Sequence, residues 1–218
     1  MPEPITIIGV GGGLAGLASH LARRYFDMAK EVADIVLGLI CLVLFLPAMG
    51  LCALLIKLAD RGPVLFFQTR IGKDGQPFTM YKFRTMYQDA EKRTGATWAQ
   101  VNDPRVIPVC RWMRCSHMDE LPQLFNVIKG NMSLVGPRPE RPEILEELEQ
   151  VYPNVRQRLA VKPGITGLAQ IRNGYDTSVE SFRYKLDADL EYIEDRRWWV
   201  EMKILVGTVS KLRDPRAR

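Results

Sequence analysis

The sequence predicts a membrane-associated α/β protein, and three observations carry that reading. Residues 35–56 read IVLGLICLVLFLPAMGLCALLI, 22 positions without a charge. Residues 64–86 carry two strand-like runs, VLFFQTRI and PFTMYKFRTM, around a Gly-Lys-Asp-Gly turn. Near the C-terminus, apolar residues recur at helical spacing above a basic surface. The expected architecture is therefore a membrane element followed by a small α+β domain with a β-hairpin and amphipathic surface helices.

As a straight helix, the apolar run would be about 33 Å long, enough to cross a hydrocarbon core. Pro47 sits just past its middle, removes one helical hydrogen bond and clashes with the preceding turn. A kink or break is expected there. Two arrangements follow from the residues: a single kinked span, or a helix-break-helix that dips into one leaflet and returns. The mixed charges on both flanks do not choose between them. The run lies too far from the N-terminus for a cleaved signal.

Residues 1–29 form an N-terminal extension. Gly11, Gly13 and Gly16 match G-x-G-x-x-G after an apolar run, the pattern of a dinucleotide-binding turn. That fold needs a second buried strand and an acidic residue about twenty positions on. The membrane segment comes instead, so the unit cannot close, and a helix against the membrane is the better reading.

Beyond the hairpin, residues 88–118 are polar at first and then, from RVIPVCRWMRCSH, read as an irregular run entering a short helix. A helix is expected over residues 119–130, with Pro122 in its first turn and Gly130 as its stop. A loop, an acidic helix over 143–159 and a second loop (161–174) precede the C-terminal helical stretch. There Trp198, Met202, Leu205, Val209 and Leu212 form one stripe. Packing on the soluble core is the default for such a stripe; a membrane-surface helix with an aromatic anchor is the alternative.

A net charge of +5 is too mild to mark a nucleic-acid binder, and suits an anionic bilayer or a phosphate-bearing substrate. The four cysteines, Cys41, Cys52, Cys110 and Cys115, lack zinc spacing and fit a reducing compartment. With His20 and His117 as the only histidines, the sequence argues against a His-rich metal site or a Ser-His-Asp triad.

Asp119 and Glu120 are adjacent carboxylates at a helix start. Such a pair commonly just complements the helix dipole, at under about 1 kcal/mol. Their company suggests more. Arg111 and Arg114 precede them, and Arg138 follows in a Gly-Pro-Arg-Pro loop. Lys82 and Arg84 share one strand face by the period of two. Guanidinium groups match phosphate oxygens two at a time, so this set could neutralise a diphosphate. A carboxylate reaches a diphosphate most easily beside Mg²⁺, which takes one or two carboxylates plus phosphate oxygens. It could then serve as metal ligand or as nucleophile at phosphorus, and the residues alone do not decide between them.

With these motifs assembled, the chain resembles the bacterial sugar transferases, the monotopic polyprenyl-phosphate phosphoglycosyl transferases. The likeness runs from about Lys30 to Leu212. It rests on the apolar segment with Pro47, GPVLFFQTRIGKDGQPFTMYKFRTM (62–86), DPRVIPVCRWMR (103–114), SHMDELPQLFNVIKGNMSLVGPRP (116–139) and KPGITGLAQI (162–171). The resemblance implies a re-entrant hairpin over residues 30–61 and a catalytic domain over 62–218 at the cytoplasmic face of the bacterial inner membrane. It implies a two-step transfer of a sugar 1-phosphate from a UDP-sugar to undecaprenyl phosphate. Asp119 would attack the β-phosphate and release UMP, Glu120 would take the proton of the lipid phosphate, and Mg²⁺ would bind near Asp119. Arg114 and Arg138 would hold phosphate, with Lys82 and Arg172 as weaker correspondences. Glu31, Cys110, Cys115, His117 and Met118 depart from the family's usual residues. The chain resembles the small, minimal catalytic form. Partners on this reading are the nucleotide-sugar, the lipid phosphate and the bilayer, with no nucleic acid and the oligomeric state, a homodimer included, left open. A non-catalytic membrane scaffold would explain the anchor but not the dyad. A nicotinamide enzyme would need the N-terminal glycines. The sequence does not identify the sugar.

Overall fold

The computed structural model describes residues 14–88, 103–173 and 181–211. Its first element is one helix, α1 (Leu14–Ala59), which runs unbroken through Pro47. The break expected at Pro47 is absent, and packing supplies the reason. Lys30, Asp34, Gly38, Met49, Cys52 and Ile56 fall on one stripe and are buried against the rest of the protein. That stripe grips the body on both sides of the proline. Pro47 itself faces outward, where its missing N–H and its clash distort nothing that is packed.

The opposite face of α1 is apolar and bare, with Leu39, Val43, Leu44, Leu46, Leu51 and Leu54 all exposed. Among the described residues this is the one helix long and apolar enough to cross a membrane, and only 17% of its most apolar window is buried. A core helix of a soluble protein would be mostly covered, so this face implies membrane association. Gly16 lies inside α1; Gly11 and Gly13 fall outside the described residues. The helix also passes through position 30 without interruption.

The expected hairpin is present. Strand β1 (Leu65–Ile71) pairs antiparallel with β2 (Pro77–Phe83), in register from Leu65↔Phe83 to Ile71↔Pro77. Its turn places Asp74 at φ 54° and Gly75 at φ 76°, left-handed values that Asp and Gly tolerate. The period of two puts Phe66, Gln68 and Arg70 on one face with Phe78, Met80 and Lys82.

A 3-10 turn (Pro108–Cys110) leads into α2 (Arg111–Cys115), as expected for that run. The helix expected over 119–130 arrives in two pieces. A 3-10 turn covers Met118–Glu120, and α3 covers Gln123–Ile128 with Pro122 at its N-cap. Gly130, at φ 78°, ends it as anticipated.

Two short strands in the expected loops have no periodicity to announce them. β3 (Ser133–Val135) pairs parallel with β4 (Gly164–Thr166). The pairing depends on glycine, because a Cβ on Gly164 would fall on the backbone of Gly136.

The acidic helix expected over 143–159 is also two elements, α4 (Pro142–Val151) and a 3-10 stretch, Val155–Ala160. Pro153 forces the division, since a residue before proline avoids helical ψ and Tyr152 sits at ψ 89°. The chain ends in α5 (Leu168–Asn173), α6 (Phe182–Glu194) and α7 (Trp198–Lys211). On α7 the packed positions are Glu201 and Ile204, while Trp198, Met202 and Val209 are exposed. Leu205 packs at the edge of the largest apolar cluster, so most of the stripe points outward while its middle follows the default of core packing. Its first ring, Trp198, stacks edge-on against Phe26 of α1 at 5.2 Å between centroids. Leu212 lies outside the described residues.

Three apolar clusters hold these parts together. The largest joins Met80, Leu124, Val127, Val135, Leu168, Tyr192 and Ile204 beneath β3 and β4. A second joins Met49, Cys52 and Ile56 of α1 to Phe83, Ile107, Cys110 and Met113. A third lies under α4, around Leu148, Val155 and Phe182.

Candidate active site

Asp119 and Glu120 occupy the 3-10 turn that follows His117, whose backbone is left-handed at φ 56°. That conformation is uncommon for a residue other than glycine and reverses the chain between α2 and the dyad. Both carboxylates are buried, at 8% and 7% exposure.

Their surroundings differ. Glu120 is gripped by Arg138, whose Nη1 and Nη2 donate at 3.1 and 2.6 Å, and by Lys82 Nζ at 2.9 Å. Burial penalises its charge, but Arg138 and Lys82 outweigh that penalty and hold its carboxyl well below the usual range. Burial lowers the Lys82 ammonium despite Glu120 beside it. The Asp119 carboxylate has no hydrogen-bond or ion-pair partner among the described residues. Burial pushes its pKa up, against the pull of Lys82, Arg114 and His117, and Glu120 adds to the rise. A poorly solvated carboxylate with no donor to quench it is a reactive nucleophile.

Arg114 sits on α2, 3.4 Å from the Thr85 hydroxyl, and its charge acts on Asp119. Cys110 is buried; desolvation raises its thiol, Arg84 opposes the shift, and Cys52 and Asp119 add to it. The dyad therefore lies against the second apolar cluster, beside the far half of α1.

A model of the bacterial sugar transferase family matches residues 25–214. The chain belongs to this family. It is 40% identical over 196 residues to an Aeromonas hydrophila protein named UDP-N-acetylgalactosamine-undecaprenyl-phosphate N-acetylgalactosaminephosphotransferase, covering 90% of this chain and 46% of that one. It is 42% identical over 194 residues to a UDP-glucose:undecaprenyl-phosphate glucose-1-phosphate transferase of Caulobacter vibrioides, covering 88% and 72%. It is 49% identical over 141 residues to a putative undecaprenyl-phosphate N-acetylgalactosaminyl 1-phosphate transferase of Bacillus subtilis, covering 65% and 78%. The chain thus spans less than half of the Aeromonas protein's length and most of the other two.

In this chain the anticipated cations separate into two groups. Lys82, Arg114 and Arg138 converge on the dyad. Arg84 does not. It lies one residue past β2, and its guanidinium is taken up by the Asp60 carboxylate and the carbonyls of Asp60 and Pro63. It clamps the connection from α1 to β1. Arg172 forms an exposed fork with Glu191, at 2.5 and 2.8 Å. Glu31 pairs with Lys162 at 2.9 Å.

A second network, invisible to sequence reasoning, positions the Arg138 loop. Glu140 is buried among Lys185 at 2.6 Å, Arg158 at 3.5 Å and Arg70 at 3.9 Å. Arg158 also pairs with Asp189 at 2.5 Å and donates to the Arg138 carbonyl at 2.8 Å. Arg70 donates to the Pro139 carbonyl at 3.0 Å. Partners 18, 31 and 45 residues apart leave no periodic trace; the only available signal was a surplus of charge in otherwise apolar segments.

Proposed function

We propose that this chain transfers a sugar 1-phosphate from a UDP-sugar to undecaprenyl phosphate, the opening step of a membrane-borne glycan assembly. The carrying observation is the contrast within the dyad: a buried Asp119 carboxylate with no partner beside a Glu120 that organises two cations. Relatives named for this reaction, and family membership, support the reading.

In the first half-reaction Asp119 attacks the β-phosphorus. The bond from that phosphorus to the bridging oxygen breaks, and UMP departs with the oxygen and its electron pair. An acyl-phosphate links Asp119 to the sugar phosphate. In the second half-reaction an oxygen of undecaprenyl phosphate attacks the same phosphorus and the Asp119 carboxylate is regenerated. Glu120 accepts the lipid phosphate's proton.

A carboxylate paired with two cations is a weak base. Incoming phosphate oxygens compete for the same Arg138 and Lys82, and Glu120 gains basicity as those cations are shared. Arg114 and Lys82 lower the repulsion between Asp119 and the diphosphate.

Mg²⁺ fits this site. The unpartnered Asp119 carboxylate can serve as its one protein ligand, in keeping with an ion held mostly by phosphate oxygens and water. When bound it neutralises diphosphate charge.

Both flanks of the apolar stretch dock on one body: Lys30 bonds to Glu201 of α7 at 2.7 Å, and Ile56 packs in the second cluster. On this reading residues 30–61 engage one leaflet from the side of the catalytic body, which holds both of their flanks on the same face. Residues 62–218 then form the catalytic domain at the cytoplasmic side of the inner membrane.

Intact-mass analysis tests the chemistry. Mixed with UDP-N-acetylgalactosamine or UDP-glucose and Mg²⁺, the protein gains a phosphosugar mass with one donor, and Asp119→Asn gains none. An Asn variant that is labelled at the wild-type rate refutes the assignment.

A further inference from the structure

Among the described residues, three buried side-chain polar atoms lack a hydrogen-bond partner: Arg70 Nε, Gln123 Nε2 and Gln170 Oε1. Gln170 still donates through Nε2 to the Ile165 carbonyl at 2.8 Å, and the Arg70 Nη atoms are both engaged. Gln123 differs. It is 1% exposed, and its Nε2 has no partner among the described residues.

Its place in the chain is informative. Leu121 and Pro122 both hold right-handed helical angles, so the backbone winds without interruption from the dyad's 3-10 turn into α3. The turns here are closed by i→i−3 bonds, Leu121 N–H to Met118 and Leu124 N–H to Leu121, and at three residues per turn Gln123 falls on the same face as Glu120. The idle Gln123 amide thus lies buried one turn beyond Glu120, in the segment that also carries the idle Asp119 carboxylate. A second idle donor, Arg70 Nε, extends from the strand face that also carries Lys82.

Burying an amide with no partner destabilises a fold, and a side chain of the same shape without polar atoms would avoid that cost. Native proteins retain such groups where a ligand completes them. Here the missing partner must accept hydrogen bonds and must sit beside Lys82, Arg114 and Arg138. Phosphate oxygens meet both conditions.

We infer that Gln123 is a phosphate-binding residue of this site: its amide Nε2 donates to an oxygen of the nucleotide diphosphate. This rests on the proposed transferase reading and adds a neutral donor to its cations. The amide fixes the orientation of the diphosphate without adding charge that would bind Asp119.

UDP serves as the probe, because its binding needs no turnover and is read separately from the Asp119 chemistry. Gln123→Met keeps the shape and removes the amide. It should melt at or above the wild-type temperature without ligand, while UDP binds roughly 10-fold more weakly. Gln123→Glu keeps the shape and replaces a donor with an anion, and should weaken UDP further. Wild-type UDP affinity in Gln123→Met overturns the inference. So does a melting temperature well below wild type, which would mean that the fold already satisfies the amide. A labelled Asp119→Asn would sink the transferase reading while leaving the UDP result to stand or fall alone.

Discussion

Glu140→Gln isolates the network that holds the Arg138 loop. In the native protein one buried carboxylate faces Lys185, Arg158 and Arg70 at 2.6–3.9 Å. Burial alone would raise its pKa, but Lys185 and Arg158, with Arg70, hold it down at about 2, against an ordinary 4.5. At 1.36 kcal/mol for each tenfold change, that depression corresponds to ~3 kcal/mol of stability. A group whose folded pKa is depressed contributes fully above its unfolded value. Its share is therefore complete above pH 4.5 and is lost as pH falls toward 2. Glu140→Gln should lose about 3–5 kcal/mol at pH 7, because three cations remain with one carboxylate fewer. For a protein of this size that is a melting temperature lower by roughly 6–20 °C. Thermal melts in detergent from pH 7 to pH 2.5 provide the assay. Wild type should lose stability through the acid range, and the variant should show a flatter slope. A variant that melts with wild type at pH 7, or that keeps the full acid slope, refutes this account of the loop.

Two further outcomes follow from the same geometry. Arg84→Ala should lower the melting temperature and leave the UDP-sugar KM unchanged, since Arg84 clamps Asp60 and Pro63 rather than phosphate; a raised KM at unchanged stability would contradict this. In a variant stripped of its four native cysteines, single cysteines at His20 and Lys73 should be labelled from the same side of sealed vesicles. Labelling from opposite sides would mean that α1 crosses the bilayer.

The sequence was most readable where structure is local. The apolar run, the hairpin with its turn and the stop at Gly130 each follow from neighbours in the chain. Asp119 and Glu120 stood out for the same reason, as adjacent residues among nearby arginines. Pairings between distant segments left no such sign. Arg158 finds Asp189 31 positions away, and β3 meets β4 across a similar gap through three residues each. Pro47 misled because a proline's effect depends on what grips the helix around it. Arg84 misled because a shared strand face ends with the strand. The α7 stripe was legible as a stripe, but its direction was set by Glu201, which Lys30 and Tyr192 hold inside at 2.7 Å each.

The second apolar cluster ties α1 to the turn that carries the dyad. Cys52 and Ile56 pack with Cys110 and Met113, and Asp119 is near enough for its charge to act on Cys110. The Asp119 carboxylate and the greasy helix therefore move as one piece. Whatever depth the helix takes up at a lipid boundary, the carboxylate takes up too. On the proposed function, the height at which phosphorus is met is thus built into the protein, and a lipid whose phosphate rides at another level would have to rise or sink to be used.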